Sequence, residues 1–216
     1  MLTACSTSAC RPFPARRSSS PIADDHLITT PVAPAAYVAR RFPGEPCYLL
    51  VKGDAAVDFR AAGVNVVGPD GEPDAGVVVI GGAEDELTYA RLDHAYRLLL
   101  GGAKLVTMHR NIAWKTAKGM QLDSGPFVRA LEIAAGVRAT LIGKPALPYF
   151  RQAIRDFALP ASALAMIGDD AKNDLAPAHR LGLKTILVRT GKPVGPDEEA
   201  LADVTVGLVS ELRFWG

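Results

Sequence analysis

The stretch that decides the fold reads Met166-Ile-Gly-Asp-Asp-Ala-Lys-Asn-Asp174. It begins within an apolar run of strand length, residues 163–167, and leads into a helix-period segment, residues 175–181. A buried strand followed directly by a helix places the intervening side chains at the carboxyl end of a sheet, where open α/β folds bind ligands. Asp169 and Asp174 lie on either side of this turn and are predicted to face one point.

Three carboxylates in this stretch form a candidate metal site: Asp169, Asp170 and Asp174. Mg²⁺ prefers hard oxygen ligands in octahedral geometry and keeps water or phosphate oxygens in the remaining positions. The alternative is that Asp170 or Asn173 is an ordinary helix cap, as a single Asp would usually be. Three carboxylates within six positions after one buried strand favour the metal interpretation.

A lysine follows another predicted strand, in the sequence Ile142-Gly-Lys-Pro145. Lys144 at a strand end could neutralise a phosphate or a nucleophile's carboxylate as charge develops in a transition state. Taken alone, the default interpretation is a solvated surface lysine. This stretch is not a phosphate-binding P-loop, because Pro145 stands where that motif requires Ser or Thr.

The rest of the chain alternates between strand-length apolar runs and helix-period segments, which predicts parallel sheets covered by helices. Two α/β units are expected, with the crossing between them in the turn-rich segment 120–126. A helix is predicted over residues 84–100. The four histidines show no metal-ligand spacing, and His94 and His179 are expected to be partly exposed helix residues.

Composition excludes several classes of function. The formal charge of +1 provides no field that would attract nucleic acid or an anionic membrane, and no apolar stretch is long enough to span a bilayer. The cysteines Cys5, Cys10 and Cys47 form neither a disulfide framework nor a metal motif, which favours the cytoplasm. Residues 1–20 are rich in Ser, Pro and Arg and are predicted to be a disordered or unrelated tail.

Taken together, the motifs resemble a known superfamily. Gly143-Lys-Pro145, the Gly-Asp-Asp stretch and residues 182–192 resemble motifs three and four of the haloacid dehalogenase-like (HAD) hydrolases. Residues 98–109 and 125–132 are similar to the class with a large α/β cap, in particular the phospholysine phosphohistidine inorganic pyrophosphate phosphatase group. The resemblance implies an α/β fold: an incomplete Rossmann-like HAD core and an inserted α/β cap. The implied domains are a cap with a short core remnant, 21–125, and the C-terminal part of the core, 126–216.

The resemblance also implies roles for individual residues and a function. In that family the Asp at position 169 holds Mg²⁺, assisted by the carboxylates at 170 and 174, and Lys144 steadies the nucleophile and the phosphoryl group. The cap loop 109–114, with His109 and Asn111, would overhang the substrate. The implied activity is Mg²⁺-dependent hydrolysis of a phosphoric monoester or pyrophosphate in a small phosphorylated molecule, and the implied assembly is a homodimer through the cap.

One family motif is absent from the sequence. Members carry a nucleophile in an Asp-x-Asp motif after a buried strand, and no Asp-x-Asp occurs in these 216 residues. Asp54 is a superficial substitute, but the resemblance places it in the cap. The expectation is therefore a truncated, weakly active or inactive phosphatase chain whose core sheet is incomplete, with strand 163–167 unpaired on one side. The alternatives are a noncatalytic binding or dimerisation module that uses the cap surface, and a truncated gene product.

Overall fold

The computed structural model describes residues 29–68, 73–155, 157–191 and 193–212. Within these ranges the chain divides into two compact units, the first ending at Gly143 and the second beginning at Lys144. The predicted division lay after residue 125, and the assignment of cap and core to the two units stays a prediction. The predictions for residues 1–20, Cys5 and Cys10 lie outside the described residues.

The first unit is built on a parallel sheet with strand order β2-β1-β3-β4-β7. Its elements are, in chain order, α1 (Val32–Arg41), β1 (Pro46–Leu50), α2 (Ala55–Ala61), β2 (Asn65–Val67), β3 (Val77–Ile80), α3 (Tyr89–Leu100), β4 (Lys104–Thr107), β5 (Ala113–Thr116), β6 (Gly119–Leu122), α4 (Gly125–Ala135) and β7 (Thr140–Leu141). β5 and β6 form a separate antiparallel hairpin.

Both faces of this sheet are covered, which explains its continuous apolar strands. All four residues of β3 are buried, and β3 pairs with β1 on one side and β4 on the other. Alternate residues of β3 pack into two different hydrophobic clusters: Val78 and Ile80 belong to one, and Val77 and Val79 belong to the other. The predicted α/β fold with a parallel sheet is confirmed.

The second unit contains α5 (Leu147–Arg155), β8 (Ala165–Gly168), α6 (Ala176–Arg180), β9 (Lys184–Val188), α7 (Pro196–Glu199) and β10 (Val204–Val206). Its strands are parallel and ordered β10-β9-β8. Buried Thr185 stabilises the sheet by accepting a hydrogen bond from the backbone N–H of Asp203 and donating one to the Leu201 carbonyl. Among the residues that the structure describes, β8 pairs only with β9, and the predicted one-sided pairing of that strand stays a prediction.

Two sequence-based predictions in the first unit are wrong in detail. Residues 84–86 form a 3₁₀ turn, and α3 begins only after Thr88, whose hydroxyl caps the helix by accepting a hydrogen bond from the Arg91 N–H. His94 is buried rather than partly exposed, because its Nε2 lies 2.9 Å from the Pro73 carbonyl oxygen and its ring packs edge-on against Tyr48.

Two further observations concern the predicted cellular location. No helix in the described part of the chain is long and apolar enough to cross a membrane. Cys47 is a free cysteine in β1, and burial raises the pKa of its thiol to about 12, so the thiol stays protonated and unreactive. The cytoplasmic location stays a prediction.

Candidate active site

The candidate site lies at the carboxyl end of β8. The chain leaves the strand at Gly168 and forms a π-helical turn, Ala171–Leu175, before α6 begins. Pro177 fits the start of α6, where a backbone N–H is not needed for the helix. The π-helical turn, a feature often found at functional sites, brings Asp174 back to the strand end as a buried residue.

Lys144 and Asp174 form a buried ion pair in this unit. The distance from Lys144 Nζ to Asp174 Oδ1 is 2.8 Å, and the two side chains are only 10% and 4% exposed. Burial raises the pKa of Asp174, and the ammonium of Lys144 opposes that shift. The lysine that sequence alone would assign to the surface therefore lies against one of the predicted metal-binding carboxylates, although 30 positions separate the two along the chain.

Asp170 is used locally as a helix cap. Its Oδ1 accepts a hydrogen bond from the Asn173 backbone N–H at 3.1 Å, and its Oδ2 accepts one from the Asn173 side-chain amide at 2.9 Å. This is the helix-cap geometry of the alternative interpretation of Asp170. Both carboxylate oxygens accept a hydrogen bond within the turn, and the charge of Asp170 raises the pKa of Asp174. The metal-binding role of Asp170 stays a prediction.

Two glycines provide room for the other carboxylates. A β-carbon on Gly168 would lie 2.7 Å from Cβ of Asp174 and 2.8 Å from its Oδ2. A β-carbon on Gly191 would lie 2.7 Å from Cγ of Asp169. Since these distances are shorter than a van der Waals contact, each carboxylate must be packed directly against a glycine backbone.

The donor set suits a hard divalent cation. Asp169 and Asp174 supply carboxylate oxygens, and the charge of Asp169 is close enough to raise the pKa of Asp174, a repulsion that a cation would relieve. In the described residues no group of three or more His, Cys, Asp or Glu side chains is arranged as a metal cluster. Two carboxylates are nonetheless sufficient for Mg²⁺, which commonly binds through one or two together with water and phosphate oxygens.

His109 and Asn111, predicted to bind substrate, lie in the loop after β4 in the first unit. The Gly82 N–H donates a hydrogen bond to His109 Nε2 at 3.1 Å. The carboxylate of Asp123 is 3.8 Å from the same nitrogen. The Asn111 carbonyl accepts a hydrogen bond from the Gly125 N–H at the start of α4. These contacts fix the loop, and the substrate-binding role stays a prediction.

Comparison with known proteins identifies the family. Residues 141–211 match a family model described as HAD-hydrolase-like. The human haloacid dehalogenase-like hydrolase domain-containing protein 2 is 36% identical over 186 residues, covering 86% of this chain and 68% of that protein. The chain belongs to the haloacid dehalogenase-like hydrolase family. The human phospholysine phosphohistidine inorganic pyrophosphate phosphatase is also similar, 32% identical over 189 residues that cover 85% of this chain and 67% of that protein.

Solved structures with the same fold include a 4-nitrophenylphosphatase and a NagD protein. The 4-nitrophenylphosphatase from Thermotoga maritima superposes with a TM-score of 0.74 at 26% identity, covering 88% of this chain and 72% of that one. The NagD protein from E. coli K-12 superposes with a TM-score of 0.71 at 19% identity, over 89% and 74% of the two chains, which supports the fold alone. The HAD hydrolase resemblance and the large-cap class predicted from the sequence are thereby confirmed.

Sequence reasoning missed Tyr149 and Gly191. Tyr149 is buried in α5, and burial together with the nearby charge of Asp174 raises the pKa of its phenol to about 12. Its position shortly after Lys144, on the apolar face of a helix, was the available signal. Gly191 carries no local signal, because only the tertiary structure brings it to Asp169.

Proposed function

We propose that the second unit carries the magnesium- and phosphate-binding part of a phosphatase site, acting on phosphoric monoesters or pyrophosphate in small phosphorylated molecules. The observation that carries this proposal is the buried ion pair of Lys144 with Asp174 at the carboxyl end of β8, beside Asp169. The relatives also support it, since two of those named above are phosphatases by name.

Each side chain has a distinct part in this proposal. Lys144 is held by Asp174 in a buried position, so its ammonium can stabilise the negative charge of a phosphoryl group without first reorganising. Asp169 and Asp174 would hold Mg²⁺, and Asp170 would keep the turn in shape through its bonds to Asn173. When bound, Mg²⁺ would polarise the phosphoryl oxygens and orient the substrate.

We expect the 216-residue polypeptide to bind Mg²⁺ and phosphate with little or no turnover. Covalent phosphatase chemistry requires an activated nucleophile at the site, and the family's Asp-x-Asp motif does not occur in the sequence of this chain. Asp54, the superficial substitute, occupies the N-cap position of α2 in the first unit.

Two measurements on the full chain test the proposal. Calorimetric titration with inorganic phosphate should show binding that requires Mg²⁺ and is lost in Asp169→Ala and in Lys144→Ala. Hydrolysis of p-nitrophenyl phosphate should be near background with or without Mg²⁺. Absence of Mg²⁺-dependent phosphate binding in the folded chain would contradict the site, whereas robust turnover that Asp169→Ala abolishes would contradict only the expected inactivity.

We also propose, as a second function, self-association through the β5–β6 hairpin of the first unit. All of β6 is exposed, and Met120 and Leu122, which are 57% and 54% exposed, point to one face of the hairpin; Ile112 before it is 72% exposed. A two-stranded hairpin alone is marginally stable, and an exposed apolar edge strand favours pairing with another strand. A second copy of this chain supplies a matching strand.

Light scattering coupled to size exclusion tests this proposal. The chain is expected to elute as a dimer and the Met120→Lys/Leu122→Lys variant as a monomer, because a charge on this face opposes close packing of two hairpins. Ile133→Lys is the control for placing a charge at an exposed apolar residue, since Ile133 is 68% exposed but lies on α4. A monomeric unmodified chain, or an equal effect of both variants, would rule the hairpin out as the dimer interface.

A further inference from the structure

Gly191 lies in the segment that follows β9, three positions after Val188. β8 and β9 are parallel neighbours, with Gly168 in register with Leu187. Because both strands end at the same rim of the sheet, the segments that leave them run side by side. Asp169 is the first residue after β8, and its side chain meets the chain again at Gly191.

Space rather than backbone conformation requires glycine at this position. A β-carbon on Gly191 would lie 2.7 Å from Cγ of Asp169, 2.8 Å from its Cβ and closer still to Oδ2. Gly191 is not among the glycines with a positive φ in the described residues, so an L-residue could adopt its backbone angles. A methyl group at this position would therefore act on the chain chiefly by displacing the Asp169 carboxylate.

We infer that Gly191 is a positioning residue for Asp169: because glycine has no side chain, the Asp169 carboxylate can lie directly against the backbone at position 191. This inference rests on the proposed function, in which Asp169 is a magnesium ligand, and adds a residue outside the Gly-Asp-Asp stretch. Gly168 has the corresponding relation to Asp174, since a β-carbon there would lie 2.7 Å from Asp174 Cβ. Substitution of a residue that orients a metal ligand typically weakens metal affinity about 10- to 100-fold.

A nearby glycine offers a matched control. Gly195 lies in the same segment, four positions further on, and a β-carbon there would meet nothing within 4 Å. Gly195→Ala therefore adds the same methyl group, with the same effect on the unfolded chain, without contacting a carboxylate. A difference between Gly191→Ala and Gly195→Ala consequently reports on the contact with Asp169.

The test is a titration with Mg²⁺ alone, followed by amide NMR of the full chain. In the unmodified chain we expect shifts at the amides of residues 168–174, at least a tenfold weaker dissociation constant in Gly191→Ala, and a change of less than twofold in Gly195→Ala. Unchanged affinity in folded Gly191→Ala would overturn the positioning role and leave the proposed function standing. If Gly191 had a purely structural role, Gly191→Ala would lower stability without changing the Mg²⁺ affinity of the folded protein.

A metal-free double-mutant cycle separates this inference from the proposed function. Gly191→Ala should lower the urea midpoint of unfolding more in the unmodified chain than in Asp169→Ala, where the carboxylate is gone and only the 2.8 Å approach to Cβ of residue 169 remains. This result would support the inference even if Mg²⁺ did not bind. An equal loss in both backgrounds, or failure of Gly191→Ala to fold in both, would overturn it; folding rescued by Asp169→Ala would support it.

Discussion

At the residue scale, Glu132 shows how one buried charge holds a loop. Its carboxylate, only 5% exposed, accepts hydrogen bonds from Arg110 at 2.6 and 3.0 Å and from the Ala139 N–H at 2.8 Å. The bonds from Arg110 are the main cause that lowers the pKa of Glu132 to about 2. Because Arg110 directly follows His109, this cluster ties the loop after β4 to the end of α4.

Glu132→Gln is expected to lower the free energy of unfolding by roughly 1.5–3 kcal/mol at pH 7, the range for hydrogen bonds to charged groups. The folded-state pKa is depressed, so the stabilisation is present above the unfolded value of 4.5 and is lost as pH falls towards about 2. Urea unfolding at several pH values measures this, and the gap between the two proteins should narrow across that window.

Glu86→Gln is the control for this comparison. Glu86 forms an ion pair with Arg91 on the surface, where its side chain is 40% exposed, and such pairs contribute roughly 0–1 kcal/mol. If the two substitutions cost the same, or if the Glu132→Gln effect persists unchanged at pH 2, the carboxylate contacts of Glu132 are not what stabilises the loop.

At the element scale, predictions from sequence succeeded where burial imposes a pattern. The strands β3 and β4 were predictable because continuous apolar runs are needed in a sheet covered on both faces. The β5–β6 hairpin was missed, since its exposed strands carry no such run. The carboxylate cluster was predictable from its position after an apolar run of strand length, whereas the cap role of Asp170 and the contact of Gly191 depend on geometry that spacing does not encode.

The outer edge of β8 yields a prediction at the same scale. Ala165 is exposed on this strand, which in the described part of the chain pairs only with β9. Unpaired backbone groups on an apolar edge recruit other strands, and a lysine on the edge opposes this. Ala165→Lys should therefore slow aggregation of the chain, measured by turbidity at 37 °C. Ala200→Lys adds the same charge at an exposed site outside the strands, and equal protection by it would show a net-charge effect instead.

At the scale of the whole molecule, the proposed cation site belongs to only one of two compact units. The part of the chain that a bound cation stabilises therefore tests where the cation binds. A ligand that binds only the folded state stabilises it by about 2.7 kcal/mol at 100 times its dissociation constant. In a chain of two units, opening of each unit has its own free energy, and hydrogen exchange reports them separately.

Saturating Mg²⁺ is therefore expected to slow amide exchange in β8, the π-helical turn 171–175 and β9, and to leave β1 and β3 unchanged. Binding at Asp169 and Asp174 links the strand end to the turn, so opening of this part of the second unit must first release the ion. Exchange followed by mass spectrometry on the full chain, with and without Mg²⁺, measures this. Asp169→Ala should show no Mg²⁺-dependent protection, and protection concentrated in β1 and β3 would place the cation in the first unit and remove the basis for assigning it to these carboxylates.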